Sequence, residues 1–338
     1  MIARQFIFFF VATVALSCSS PEYVQIQGPT MGTAYHITYQ EKVPADRVQV
    51  LIDSLLVAIN DDVSTYIEDA YISSFNQSEG DFILDPSRTH FVQNLVRSAR
   101  IFEETDGYFD PTVMPLVNYW GFGYTEKRPV RQVDSLLIDS IMMNVGFDQL
   151  TIDLENGMIS RAAGSEQLDF SAIAKGYAVD EVASLLSSLG IDDYLVEIGG
   201  EMSTSGKNRE KKPWSVAINT PKPEAGLMDA ISIITLSGEA LATSGNYRNY
   251  YEVDGQKYGH TIDPKSGFPF MSKLLSVTVI ADNCMLADAY ATGFMSMGYE
   301  KAVQWVEERN DIEVCFLVGG PDNEIEIEYS DGFIQYVK

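Results

Sequence analysis

Three of the chain's Asx-Gly dipeptides, Asn156-Gly157, Asp254-Gly255 and Asp331-Gly332, mark hairpins in a chain whose other regular segments carry helical periodicity. This mixture constrains the fold more than any other feature. Such pairs supply the positive-φ residues that a tight β-hairpin needs. Hairpins scattered among helices fit an α+β architecture and not a regular βαβ winding. Over residues 44–59, Val48, Leu51, Ile52, Leu55, Leu56 and Ile59 form the stripe of an amphipathic helix. A second such stripe, Phe91, Leu95, Val96, Ala99 and Phe102, predicts a helix over 86–104. Further helices are expected over 174–189, 283–297 and 299–309, and strands near 34–39, 194–198, 214–218, 232–236, 274–280 and 313–318. No repeat or low-complexity linker divides the chain. The expected fold is therefore one compound α+β domain over 24–338, with mixed or antiparallel sheets and packed helices.

Residues 1–17 stand outside that domain. One cation, Arg4, precedes an apolar run from Phe6 to Leu16, and small residues lead to Cys18, the pattern of a secretory signal. The run is too short for a spanning helix of about 20 residues. Ala15-Leu16-Ser17-Cys18 resembles a bacterial lipoprotein signal, which would make Cys18 the lipidated mature N-terminus and 18–23 a short tether. Plain cleavage is the other reading. The expectation is an exported protein, lipid-anchored to a bacterial cell membrane and facing the periplasm. Apart from Cys18, the chain beyond the signal holds only Cys284 and Cys315, too few for a disulfide framework. Cys315 lies in an apolar run and reads as a buried strand residue, while Cys284 opens a helical segment. No CxxC or His/Cys cluster points to structural zinc.

The formal charge of −25, from 23 Lys and Arg against 48 Asp and Glu, argues against nucleic acid as a partner, since that affinity rests on cations neutralising phosphates. A phosphate-bearing ligand would need a metal ion, a few placed cations or backbone amides to supply local positive charge.

Three segments carry candidate chemistry. The first is Tyr258-Gly259-His260-Thr261-Ile262-Asp263-Pro264-Lys265-Ser266-Gly267, which holds one of only three histidines beside a rigid acidic turn. An unperturbed imidazole, with a pKa of about 6.5, moves protons near neutrality. A lone histidine at a strand end equally serves its own hydrogen bonds. In the second, Ala281 to Gly293, Asp288 and Thr292 lie four residues apart and share a helix face. Two hard oxygens suit magnesium, which takes one or two protein oxygens plus phosphates and waters. The alternative is a helix-dipole carboxylate and a threonine bonded back to a carbonyl. In the third, Leu168 to Asp180, an apolar strand passes through small residues into a helix and presents amides and Lys175 outward. That geometry can hold a pyrophosphate or merely solvate a lysine. Gly199-Gly200 beyond it suggests close backbone approach. Standard signatures fail: Gly200 to Lys207 has the wrong P-loop spacing, no GxGxxG follows a strand, and Lys265-Ser266-Gly267 lacks an SxxK partner.

Taken in order, these segments resemble the ApbE-type flavin transferases, which move FMN from FAD onto a threonine or serine of a target protein. The likeness includes Gly28-Pro29-Thr30-Met31-Gly32-Thr33, Ser64-Thr65-Tyr66, Asp106 to Val113, Trp120 to Gly123, Ala172 to Asp180, Glu197 to Glu201, Ser244 to Tyr247, His260 to Gly267, and Ala287-Asp288 with Thr292. It departs from the family pattern at Ala70-Tyr71 and Phe170-Ser171.

The resemblance implies magnesium held by Asp288, Thr292 and the Ala174 carbonyl. It implies FAD as substrate, lined by Met31, Tyr66, Asp110, Lys175, His260 and Ile262, with His260 as general base. The acceptors it implies are exported flavoprotein subunits of quinone reductase or RNF-type complexes, or flavin reductases. Two other readings stand beside it: a magnesium-dependent FAD pyrophosphatase, releasing FMN and AMP, and a lipid-anchored protein that binds flavin without turnover. Tyr66, where hydrolysing relatives carry asparagine, favours transfer.

Overall fold

The computed structural model describes residues 22–123, 130, 133–222, 229–246, 250–253, 256–269, 272–321 and 324–338. Its first half runs β1 Tyr23–Thr30, β2 Thr33–Gln40, α1 Ala45–Val63, α2 Tyr71–Gln77, β3 Phe82–Ile83, α3 Thr89–Glu104, α4 Met114–Tyr119, α5 Ser135–Met142, β4 Leu150–Asp153 and β5 Met158–Arg161. The second half runs α6 Ala174–Ser188, β6 Tyr194–Ile198, β7 Glu201–Ser205, β8 Trp214–Asn219, β9 Ala230–Leu236, β10 Ala240–Gly245, β11 Tyr250–Val253, β12 Gln256–Gly259, β13 Leu274–Ala281, α7 Cys284–Met297, α8 Tyr299–Glu307, β14 Ile312–Gly319 and β15 Ile325–Tyr329.

Eight strands form one sheet in the order β1-β2-β6-β7-β10-β13-β14-β15. Every strand pairing among the described residues is antiparallel. The α+β expectation holds, with antiparallel sheets. Strands β13 and β14 read as largely apolar runs because both faces of the sheet are covered there. Val314 and Phe316 of β14 face the main core under the helices. Cys315 and Leu317, between and after them, face a second core closed by Val216 and Ile218 of β8 and Ile234 and Leu236 of β9. The helices α6 and α7 lie against each other, α6 also on β6 and β7 and α7 on β10 and β13. A third, smaller core of Leu116, Trp120, Ile138, Val145 and Ile262 anchors the segment that follows β12. There Trp120 Nε1 donates to the Gly267 carbonyl at 2.8 Å.

The helices expected from periodicity form within a few residues of the anticipated bounds, and Asn156-Gly157 turns the β4–β5 hairpin. Asp254-Gly255 lies outside the described residues, although the strands on either side pair from Tyr250↔Gly259 to Val253↔Gln256. Asp331-Gly332 is not a hairpin. Gly332 has φ −87, a right-handed value, and the pair leads from β15 into a 3-10 turn at Phe333–Tyr336. A tight hairpin there would require positive φ. Tyr23, expected in the tether, instead begins β1 and is buried. Its ring packs edge-on to Trp214 at 6.2 Å and its hydroxyl donates to the Lys207 carbonyl at 2.8 Å. Cys18, the signal segment and the rest of the tether lie outside the described residues, apart from Glu22. Among the described residues no helix is long and apolar enough to cross a membrane.

Candidate active site

Two helix starts and two strand turns converge at one end of the large sheet. Helix α7 begins against α6 because Asp180, on α6, accepts the backbone N–H groups of Cys284 and Met285, each at 2.8 Å. Asn283 caps the same terminus by accepting from Leu286 N. These bonds satisfy amides that a helix start otherwise leaves open. Burial pushes the Asp180 carboxyl up to about 6, against those two amide bonds. The helices touch at Gly176, where an added Cβ would stand 2.3 Å from the Cys284 carbonyl oxygen and 2.8 Å from Asp288 Cβ. Only glycine permits this approach.

That approach places Asp288 beside Lys175. Asp288 is 2% exposed, and its Oδ2 accepts from Gly176 N at 3.0 Å and lies 3.9 Å from Lys175 Nζ. Lys175 Nζ also donates to Glu201 Oε1 at 2.8 Å. The lysine is therefore not simply solvated. Burial opposes its charge, but Asp288 and Glu201 outweigh that and hold its pKa above the ordinary lysine range. Burial pushes Glu201 up to about 7, with Lys175 pulling the other way. The second oxygen of Glu201, Oε2, is buried and has no hydrogen-bond partner. Thr292, one turn beyond Asp288, shares a hydrogen bond of 3.0 Å with Ser244 of β10.

A cavity of about 500 Å³ opens here, within the size range of ligand pockets. Seven of the nine residues expected to form the site line it: Tyr66, Asp110, Lys175, His260, Ile262, Asp288 and Thr292. The other two, Met31 and Ala174, line an adjoining cavity of about 610 Å³, and Tyr66, Ser171 and Lys175 border both. Met31 occupies a two-residue turn between β1 and β2, with φ 48, followed by Gly32 at φ 73. A methionine held left-handed at a cavity wall is a strained feature of the kind that gathers at functional sites. Ala174 is the first residue of α6, its N–H bonded to the Phe170 carbonyl at 2.8 Å. Tyr66 is 70% exposed at the shared rim. Asp110 precedes a 3-10 turn at Pro111–Val113, where its Oδ1 accepts from Thr112 N and Oγ1 at 2.7 and 2.6 Å. Burial still pushes Asp110 up to about 6. The His260 ring packs edge-on to Phe122, with centroids 6.3 Å apart.

Among the described residues no group of three or more His, Cys, Asp or Glu is placed to hold a metal ion. A cation needing a full protein cage does not fit this site. One that takes a carboxylate and a hydroxyl from the protein and fills its shell with phosphate and water does fit. Asp288 and Thr292 offer that pair on the cavity wall, beside the orphaned buried oxygen of Glu201.

Glu201 is the site residue to which sequence reasoning assigned no role. Its signal was its place in Glu197-Ile198-Gly199-Gly200-Glu201, directly after the paired glycines. Gly199 has φ +63, and a Cβ there would stand 2.9 Å from Thr33 Cγ2 and 3.5 Å from both Glu201 Oε2 and Lys175 Cδ. The close approach expected of the glycine pair is thus to Thr33 and to the Lys175–Glu201 pair.

A model of the ApbE family matches residues 31–316. The chain is 41% identical over 325 residues to the FAD:protein FMN transferase of Vibrio cholerae, covering 94% of this chain and 92% of that protein. It is 36% identical over 307 residues to the FAD:protein FMN transferase of Escherichia coli, covering 89% and 86%. Among solved structures, the flavin transferase ApbE from Vibrio cholerae superposes with a TM-score of 0.83 at 37% identity, over 94% of this chain and 99% of that one. The apo flavinyl transferase ApbE of Pseudomonas stutzeri superposes with a TM-score of 0.84 at 32% identity, over 95% and 98%.

Proposed function

The chain belongs to the ApbE family and is an FAD:protein FMN transferase, and from that premise we propose that it transfers FMN to a threonine or serine hydroxyl of an exported flavoprotein, with magnesium in the site and AMP released. The observation that carries the reading is the Lys175 ammonium fixed at a cavity wall of a protein with net charge −25. An anionic pyrophosphate requires such a local cation, and here Glu201 and Asp288 hold it in place.

In this reading FAD spans the two adjoining cavities. Tyr66, at their common border, offers its ring face to a flat ring system. Met31 and Gly32 close one end, while Asp110, Ile262 and His260 line the other. Lys175 orients the pyrophosphate. Asp288, Thr292 and the Ala174 carbonyl would hold magnesium, which when bound offsets the charge gathering on the departing AMP. His260 takes the proton of the acceptor hydroxyl as its oxygen bonds to the FMN-side phosphorus and the bond to the AMP oxygen breaks. The acceptors are exported flavoprotein subunits of quinone reductase or RNF-type complexes, or flavin reductases. Cys18 carries the lipid that holds the protein at the membrane.

The test supplies FAD, magnesium and an acceptor fragment, and follows acceptor mass together with AMP. Mass gain equal to FMN supports transfer. AMP and free FMN with unmodified acceptor support the pyrophosphatase instead, and intact FAD supports binding alone.

A further inference from the structure

In a chain with 23 cations against 48 acids, four cations fall within Lys207, Asn208, Arg209, Glu210, Lys211 and Lys212, the densest basic run in the sequence. This run forms the loop between β7 and β8, and all four of its cations are exposed. The loop is rigid. Asn208 exchanges backbone bonds with Lys211 and Lys212, and its side chain accepts from Glu210 N and Lys212 N and donates to the Pro213 carbonyl. Nearby acids are already engaged: Asp192 with Lys42, Asp193 with the Tyr23 hydroxyl and Lys207 N, and Glu210 with Lys212. Among the described residues no carboxylate lies within salt-bridge distance of Lys207, Arg209 or Lys211.

The position of this loop is as telling as its charge. Arg209 donates to the Tyr23 carbonyl at 3.1 Å, and Tyr23 donates to the Lys207 carbonyl. The loop is thus bound to the residue at which the N-terminal segment enters the fold. Four residues separate Cys18 from Tyr23, so the five steps between them reach at most about 18 Å. The cavities lie at the other end of the same strands. Tyr23 pairs with Gln40 and Tyr194 with Ser205 at the basic end, while Thr30 pairs with Thr33 and Ile198 with Glu201 at the site end. Along the eight-residue β1 the two ends are about 24 Å apart.

We propose that the 207–212 loop is a membrane-facing surface that takes anionic lipid headgroups and turns the anchored protein so that its FAD cavities stand away from the bilayer. The inference rests on the reading of Cys18 as the anchor. A tether at Tyr23 holds the loop near the headgroups, where each exposed cation is attracted to an anionic surface. The rest of the acidic protein is repelled, so this face is the one that settles against the membrane. The flavin is then presented roughly a strand's length above the lipid, and the acceptor must offer its hydroxyl at that height.

The test couples the signal-less chain through Cys18, the other two cysteines being buried, to maleimide lipid in two vesicles, one of phosphatidylcholine and one with added phosphatidylglycerol. Amine acetylation read by mass spectrometry then reports lysine access. Lys207, Lys211 and Lys212 should lose modification several-fold on the anionic vesicle alone, and recover at high salt. Lys265 and Lys301, beside the cavity-lining Tyr108 ring, should not change. The protection at Lys207 should disappear in a Lys211→Glu, Lys212→Glu variant whose melting temperature is unchanged. Equal modification on both vesicles, or protection that survives the double variant, overturns the inference. Because the coupling supplies the tether chemically, a native protein without lipid on Cys18 would sink the anchor reading separately.

Discussion

The Asp288 carboxylate accepts the Gly176 backbone N–H at 3.0 Å, so this bond, with those from Cys284 N and Met285 N to Asp180, ties the helix that carries Lys175 to the helix that carries Asp288 and Thr292. The distance from ammonium to carboxylate, and hence the fit of a metal-bound pyrophosphate between them, depends on how closely α6 and α7 approach.

Gly176→Ala tests that approach. Its Cβ would meet the Cys284 backbone, which cannot swing aside as a side-chain tip could. Overpacking of this kind costs about 1–3 kcal/mol. Denaturant unfolding should show that loss, and FAD affinity should fall with it. Wild-type stability in the variant would mean that the helices separate freely, contrary to the packing described.

Lys175→Ala should weaken FAD binding about ten- to a hundredfold, the range for losing a charged hydrogen-bonding partner. It also leaves Glu201 and Asp288 facing each other without a cation. Flavin fluorescence titration measures the effect, and unchanged affinity would remove Lys175 from the pyrophosphate site.

Glu201 gives the apo protein a pH dependence. Its carboxyl sits at about 7 in the fold, against 4.5 for the free group. The folded chain therefore holds a proton that the unfolded chain has lost between those values. Its contribution to stability is fully present below about 4.5 and is lost as pH rises through about 7. Glu201→Gln keeps an acceptor for Lys175 and removes the titration. The variant should lose less stability than wild type between pH 5 and 8, by on the order of 1–3 kcal/mol. Parallel curves for the two proteins would contradict this.

His260→Ala should slow transfer by about 10²–10⁴-fold, the usual worth of a general base, while FAD affinity changes little. Single-turnover kinetics with bound FAD separates the two effects. A variant that transfers at the wild-type rate would take His260 out of the chemistry.

Much of this architecture was legible in the chain. Helices α1, α3, α6 and α7 announce themselves through apolar spacing, and the doubly covered β13 and β14 through apolar runs. Strands β7 and β10 do not, because Ala-Leu-Ala-Thr-Ser-Gly turns small and polar where it borders the cavity and Glu-Met-Ser-Thr-Ser carries polar residues along its length. The site's chemistry is non-local in the same way. Lys175 meets Glu201 across 26 positions, and Thr292 meets Ser244 across 48. Spacing within one helix located the Asp288 and Thr292 pair but gave no sign of either partner. Asp331-Gly332 failed as a hairpin signal because its glycine keeps a right-handed φ that any residue can adopt.

FMN transfer is tested most directly by incubating the signal-less protein with FAD, magnesium and an acceptor fragment carrying a threonine or serine target, and weighing the acceptor while AMP is counted. One FMN mass should be added per AMP released, with both lost in His260→Ala and Asp288→Ala. AMP released with free FMN and an unmodified acceptor would contradict it.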